Sequence, residues 1–266
     1  MRKNYSYLAE NPRHPKGFMS SVAPNILHLR NPWVTAWWSA AIPGFGHIIL
    51  GIYIKGFFLV IWEIFVNLQA HINEAILYSF TGRFEQAVMV FNPRWGYLYT
   101  IIYIYAIWDS CRLTIDLNKH SLLADRNKSP VQPFKISSMG INYLDKRIPW
   151  LPFAWSALVP GLGHLCTNRL PIGIFILSWW MAAAYFSNLY TAFLLSVTGH
   201  FSRATAATNP AWLLFIPSLY VFSIYDSYNN AVEYNKLFEA EQSMYLKSNY
   251  QSPGFRMPVP QNTSSA

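Results

Sequence analysis

Charge is scarce in this chain of 266 residues. Asp, Glu, Lys and Arg make up 12% of it, where a soluble globular domain carries about 25%, and the deficit points to lipid. Cysteine is scarcer still: Cys111 and Cys166 stand at no metal-binding or redox spacing, which argues against a disulfide framework. There is no Gly-rich phosphate loop, no Ser or Cys nucleophile motif and no clustered carboxylate pair, so the usual grounds for reading an enzyme are missing. The first thirty residues hold Arg2, Lys3, Arg13, Lys16 and Arg30, but no compact apolar stretch followed by a small-residue cleavage site. No secretory signal is therefore expected, and the first apolar segment would act as an uncleaved signal.

What the chain does have is apolar length. Hydrophobic residues reach 53% and gather into runs at 35–54, 57–80 and 95–111, then at 149–166, 172–197 and 211–225. A bilayer core needs about 20 apolar residues as helix, and several of these runs qualify. Trp33, Trp37, Trp38, Trp95, Trp108, Trp150 and Trp212 sit near segment ends, as interfacial aromatic belts do.

The two sets of runs are copies. Trp38-Ser-Ala-Ala-Ile-Pro-Gly-Phe-Gly-His47 returns as Trp155-Ser-Ala-Leu-Val-Pro-Gly-Leu-Gly-His164, at an offset of 117 residues. At that offset Gly56 meets Gly173, Trp62 meets Trp179, Asn92-Pro93 meets Asn209-Pro210, and Asp109-Ser110 meets Asp226-Ser227. About a third of the aligned positions are identical and the spacing never slips, so a tandem duplication with two packed, pseudo-symmetric halves is expected. The organisation read from this is an N-terminal tail at 1–30, a membrane repeat at 31–112, a linker at 113–147, a second repeat at 148–229, and a C-terminal helix and disordered tail at 230–266.

Basic residues set the expected topology. Five precede the first run, and Arg112, Lys119, Arg126, Lys128, Lys135, Lys146 and Arg147 lie in or beside the linker. The positive-inside rule puts the N-terminus and the linker in the cytoplasm, so each repeat crosses an even number of times. The segment that fails to span is then the one carrying Pro-Gly-x-Gly-His, since Pro43, Gly44 and Gly46 break a helix. The fold class expected is an all-α integral membrane protein, with each module made of one broken or re-entrant segment (35–54, 149–168) and two spanning helices. The opposing reading has six crossings and inverted repeats. The linker is expected to form a short interfacial helix near Leu122 and then a flexible tether.

Each half resembles the TM2-type modules of small bacterial membrane proteins. The residues that carry the resemblance are Pro43-Gly-Phe-Gly-His47, Gly51, Lys55-Gly56 and Ile107-Trp108-Asp109 in the first half. The second half offers Pro160-Gly-Leu-Gly-His164, Gly173 and Ile224-Tyr225-Asp226, with Asn168 in the place of Gly51. The resemblance covers both repeats but neither linker nor tails, and it implies architecture rather than activity.

Three sets of residues are candidates for function. His47 and His164 could meet across a pseudo-twofold axis as metal or haem ligands, or each could hydrogen-bond a carbonyl freed by the neighbouring Pro and Gly; the second is preferred, and no metal or cofactor is expected. Asp109 and Asp226 end the third segments, where the helix dipole disfavours acids, which calls for a specific partner such as Arg112. Glu63, Asn67, His71, Glu74 and Tyr78 share one helix face, spanning about 16 Å from Glu63 to Glu74, while their counterparts Trp180, Ala184, Asn188, Thr191 and Leu195 carry no charge. That stripe either locks the repeats together or docks a membrane-protein partner, or it lines a proton or ion path through Glu63, His71 and Glu74.

The preferred reading is a non-enzymatic structural or interaction module of the bacterial plasma membrane. Its partners would be membrane lipids and either another membrane protein or a second copy. The net charge of +8 is spread along membrane-flanking segments, which suits anionic headgroups and not nucleic acid.

Overall fold

The computed structural model describes residues 16–20, 22–127, 131–137 and 140–252. It is mostly helical. The first half runs through α1 (Pro32–Ala41), α2 (Phe45–Ile49), α3 (Tyr53–Ala70), α4 (Ile72–Phe80), α5 (Phe84–Val90) and α6 (Pro93–Arg126). The second repeats that order as α7 (Trp150–Leu158), α8 (Leu162–Cys166), α9 (Leu170–Phe186), α10 (Leu189–Val197), α11 (Phe201–Ala207), α12 (Pro210–Leu213) and α13 (Phe215–Asn249). One element departs from the pattern: α6 corresponds to two helices, because Pro217 stands where the first half has Thr100 and cannot donate back into the preceding turn.

The breaks fall where the residues demand them. Gly44 and Gly161 turn the chain between α1 and α2 and between α7 and α8 at φ of 108° and 100°, a region that side chains resist. Gly46 and Gly163 allow close approach: a Cβ on Gly46 would strike the Thr35 carbonyl and the Ser39 hydroxyl, and one on Gly163 would strike their counterparts Pro152 and Ser156. Asn168 takes a positive φ of 57°, as Gly51 does at 81°, which Asn tolerates better than most residues. Asn92 and Asn209 cap the helices that follow them, each side chain accepting the N–H two residues on, with Pro in the first turn, as the Asn-Pro pairs suggest.

The expected single helix over 57–80 does not form. It stops at His71, which sits in the left-handed region at φ 56° between α3 and α4, and Asn188 does the same at φ 55° between α9 and α10. The carbonyls of Ala70 and Ser187, left open by the breaks, accept the N–H groups of Asn92 and Asn209. Among the described residues, α3 is the one helix long and apolar enough to cross a membrane alone. Two pairs meet that requirement only together, α9 with α10 at a bend of 61° and α11 with Pro210–Asn249 at 87°.

The linker also departs from expectation. The helix near Leu122 is the continuation of α6, and beyond it lie strands rather than a tether. β1 (Gly17–Met19) pairs antiparallel with β2 (Pro24–Ile26) and parallel with β3 (Val131–Gln132), while β4 (Phe134–Ser137) and β5 (Gly140–Tyr143) form a separate hairpin. Met19, Val131 and Leu144 pack with Tyr234 and Leu237 of α13 in a small second core. The C-terminal helix expected after residue 230 is present as the distal part of α13. The tail expected to be disordered lies, from 253 onward, outside the described residues, as does Lys128.

The main core joins the halves. Trp38, Phe45, Ile48 and Val60 from the first pack against Ile172, Ile176, Trp179, Leu219 and Phe222 from the second. At its centre Phe45 stacks on Phe222 at 3.8 Å and meets Trp179 edge-on at 5.8 Å, while Phe57 stacks on Phe175 at 4.1 Å. Buried aromatic pairs of this kind add about 0.5–1.5 kcal/mol each beyond area burial.

Candidate functional site

Each half buries one histidine against one aspartate. The turn at Gly44 and Gly46 drives α2 inward, so that His47 is wholly buried and its Nε2 lies 2.9 Å from Oδ2 of Asp109 on α6. In the second half α8 does the same, bringing His164 Nε2 to 3.1 Å from Asp226 Oδ2 on α13. The imidazoles therefore bind carboxylates and not the freed carbonyls expected from the sequence. They also face their own half's aspartate, not each other. Among the described residues no group of three or more His, Cys, Asp or Glu side chains is placed to hold a metal.

Asp109 and Asp226 do not end their helices, since α6 runs on to Arg126 and α13 to Asn249. The partner expected for Asp109 is present, with Arg112 donating to its Oδ1 at 2.8 Å. Lys55 also pairs with Asp109, from the first turn of α3. Asp226 takes Arg169, the residue capping α9, together with Asn230, whose amide donates to Oδ1 at 2.8 Å. The two cations are not equivalent: Lys55 aligns with Ile172 and Arg169 with Ile52. Each half thus neutralises the same buried carboxylate with a cation delivered from a different position. The sequence signal for this is a lone cation shortly after each histidine.

The Asp226 cluster reaches across the interface, since Arg169 Nη2 and Nε donate to Tyr53 Oη on α3 at 3.2 and 3.4 Å. It is drier than its counterpart, because Arg169 is 3% exposed where Lys55 and Arg112 are 34% and 47% exposed. Ser39 and Ser156, which are equivalent, have buried hydroxyls without a hydrogen-bond partner, as do Nδ1 of His47 and His164. All four side chains are fully buried, so no substrate reaches them as they stand.

A second recurring device lies outside the expected repeat boundaries. Arg30 exchanges two main-chain hydrogen bonds with the Asn118 amide, at 2.9 and 2.8 Å, and its guanidinium donates to the Ile49 carbonyl. Arg147, Asn235 and Cys166 repeat this clamp at the same offset, all three bonds at 2.7 Å. Arg30 and Asn118 were legible as identities with Arg147 and Asn235 just beyond the aligned core. Cys111 and Cys166 are free thiols.

The polar stripe divides at His71. Glu63 and Asn67 are buried, with the Asn67 amide donating to Glu63 Oε1 at 3.1 Å, and the neighbour that completes the network is Asn73, which was not anticipated. Asn73 in turn donates to the Ala211 carbonyl of the second half at 2.7 Å. His71 and Glu74 lie apart from this group, His71 exposed and 3.5 Å from Glu74. Glu63, Asn67, Asn73 and Tyr99 line a cavity of about 400 Å³ beside Ala40, Ile42 and Phe215.

No protein-family model, curated protein or solved structure matches the chain.

Proposed function

We propose that this is a polytopic membrane protein made of two copies of one helical module, acting as a non-enzymatic scaffold of the bacterial plasma membrane. The observation that carries the reading is the apolar surface. Ile54, Phe58 and Ile61 on α3, Ile101, Ile104 and Trp108 on α6, and Ile174 and Met181 on α9 are all more than half exposed. Soluble monomers rarely present contiguous apolar area of that extent, whereas lipid tails would cover it.

The polar groups support a scaffold over a catalyst. The two His–Asp clusters, the two Arg–Asn clamps and the Asn73 bridge each tie separate elements of the chain together. In this reading the stripe residues Glu63 and Asn67 join the modules. The TM2-type resemblance implies the same architecture, and the positive-inside rule puts the N-terminus, the linker and α13's distal part on the cytoplasmic side.

Resistance of the protein to alkaline carbonate extraction from its host's membranes tests the membrane assignment, and release into the supernatant would refute it. Labelling of Asp116→Cys by an impermeant thiol reagent in intact cells, in a background with Cys111 and Cys166 replaced, would put the linker outside and overturn the topology. The scaffold role predicts a protein partner or a second copy in detergent-solubilised purifications. A second reading, an ion or proton path, draws on the Glu63 cavity alone, since His71 and Glu74 lie elsewhere. It requires a liposome flux that Glu63→Gln abolishes.

A further inference from the structure

The two Arg–Asn clamps differ in what lies over the guanidinium. Arg147 is covered by Tyr234, whose ring centre is 4.6 Å away. The residue equivalent to Tyr234 is Leu117, and Arg30 instead borders a cavity of about 250 Å³ at the junction of the two halves. Three cations line it, Lys16, Arg30 and Arg169, along with Asn25, Tyr53 and Asn230, and no carboxylate does so among the described residues.

Two of the three charges are already matched, Lys16 by Asp125 and Arg169 by Asp226. Arg30 has no carboxylate within ion-pair distance among the described residues; its guanidinium makes one hydrogen bond, to the Ile49 carbonyl, out of five N–H donors. Burial pushes its pKa down to about 10, with attraction from Asp226 opposing the burial and Arg169 adding repulsion, which leaves it charged at neutral pH. The wall also includes the start of α3, an 18-residue helix that begins at Tyr53 without a side-chain cap, and such an end carries partial positive charge.

We propose that this cavity binds a phosphate group, with Arg30 as the principal ligand and Arg169, Lys16 and Tyr53 completing the site. A guanidinium with free N–H groups suits paired phosphate oxygens. A water molecule's share of liquid volume is about 30 Å³, so the space admits a phosphate with part of its alcohol. The phosphate can come from an anionic phospholipid headgroup, which basic pockets beside membrane helices accept, or from a free phosphate ion. This inference stands apart from the scaffold reading, since the cavity exists whether or not the chain spans a bilayer.

The test is titration calorimetry on the full chain in neutral detergent, with short-chain phosphatidic acid in one arm and inorganic phosphate in the other. Binding in either arm, weakened at least tenfold by Arg30→Gln and largely kept by Arg30→Lys, is the expected result, and the arm that binds names the source. Asn25→Glu adds a carboxylate to the wall with the guanidinium intact, and it should weaken binding by a similar factor even if Arg30→Gln fails to fold. No binding in either arm, or binding by folded Asn25→Glu equal to that of the wild type, would overturn the proposal.

Discussion

His164 Nε2 lies 3.1 Å from Asp226 Oδ2, and neither side chain has any exposure to solvent. Because Arg169 and Asn230 converge on the same carboxylate, Asp226 closes a buried network in which every neighbour depends on its charge. Removing one member of a buried ion pair costs about 3–5 kcal/mol, because the remaining charge is stranded. Asp226→Asn should therefore lower stability by about that amount in denaturant unfolding followed by circular dichroism. Asp109→Asn should cost less, about 1–3 kcal/mol, since Lys55 and Arg112 can turn to solvent. Equal losses would mean that the two clusters are not distinguished by burial.

His28, two residues beyond β2, gives a pH signature. Its Nε2 is 3.7 Å from Glu233, but burial, reinforced by Arg30 and Lys236, lowers its pKa from 6.5 to about 3. The folded protein thus holds His28 neutral while the unfolded chain protonates it below about pH 6.5. Stability from this group is full above the unfolded value and declines as pH falls from 6.5 towards 3. His28→Gln should flatten that part of the stability profile relative to the wild type, as read from thermal unfolding across the range. A parallel profile for the variant would show that His28 does not titrate on unfolding.

At Gly46 and Gly163 there is no room for a methyl group. Gly46→Ala and Gly163→Ala should each cost at least about 1–3 kcal/mol, the usual penalty for overpacking, because the nearest obstructing atom in each case is a backbone carbonyl oxygen. Gly82→Ala is the control for the alternative cause: a Cβ there meets nothing, yet φ is 75°, so its loss should be about 1–2 kcal/mol from backbone strain alone. The same unfolding assay ranks the three.

His71 offers the opposite test. A left-handed conformation costs a non-glycine residue about 1–2 kcal/mol, and the imidazole is exposed. His71→Gly should raise stability by about 0.5–1 kcal/mol and leave any flux through reconstituted vesicles unchanged. A loss of stability would show that the imidazole holds a contact worth more than the strain.

Much of the helical order was legible in the sequence, because the duplicated glycines, prolines and Asn-Pro pairs punctuate the chain by local geometry. The break at His71 was not, because its periodicity is helical on both sides and the signal lay in the comparison with Asn188, a residue that tolerates positive φ. The polar stripe failed for the same reason: a turn of left-handed backbone rotates everything beyond it, so Glu63 and Glu74 cannot share a face. His47, Asp109, His164 and Asp226 were found by recurrence, but their pairing was not, since a contact between positions 62 residues apart has no local signature. The compensating cations were harder still. Charge had to be conserved at a place in space, and Lys55 and Arg169 meet that need from positions that do not align.

The parallel pairing of Gly17 with Val131 and of Phe18 with Gln132 has a consequence for biosynthesis. A ribosome delivers residue 17 long before residue 131, and the Tyr234 and Leu237 side chains that seal the small second core come later again. The β1–β2 pair must therefore wait without its parallel partner while the whole first half is made, and the small core is sealed only when α13 emerges. Synthesis order makes this small core the closing step of assembly, and a chain truncated before α13 would leave Met19 and Val131 without the Tyr234 and Leu237 side chains that cover them.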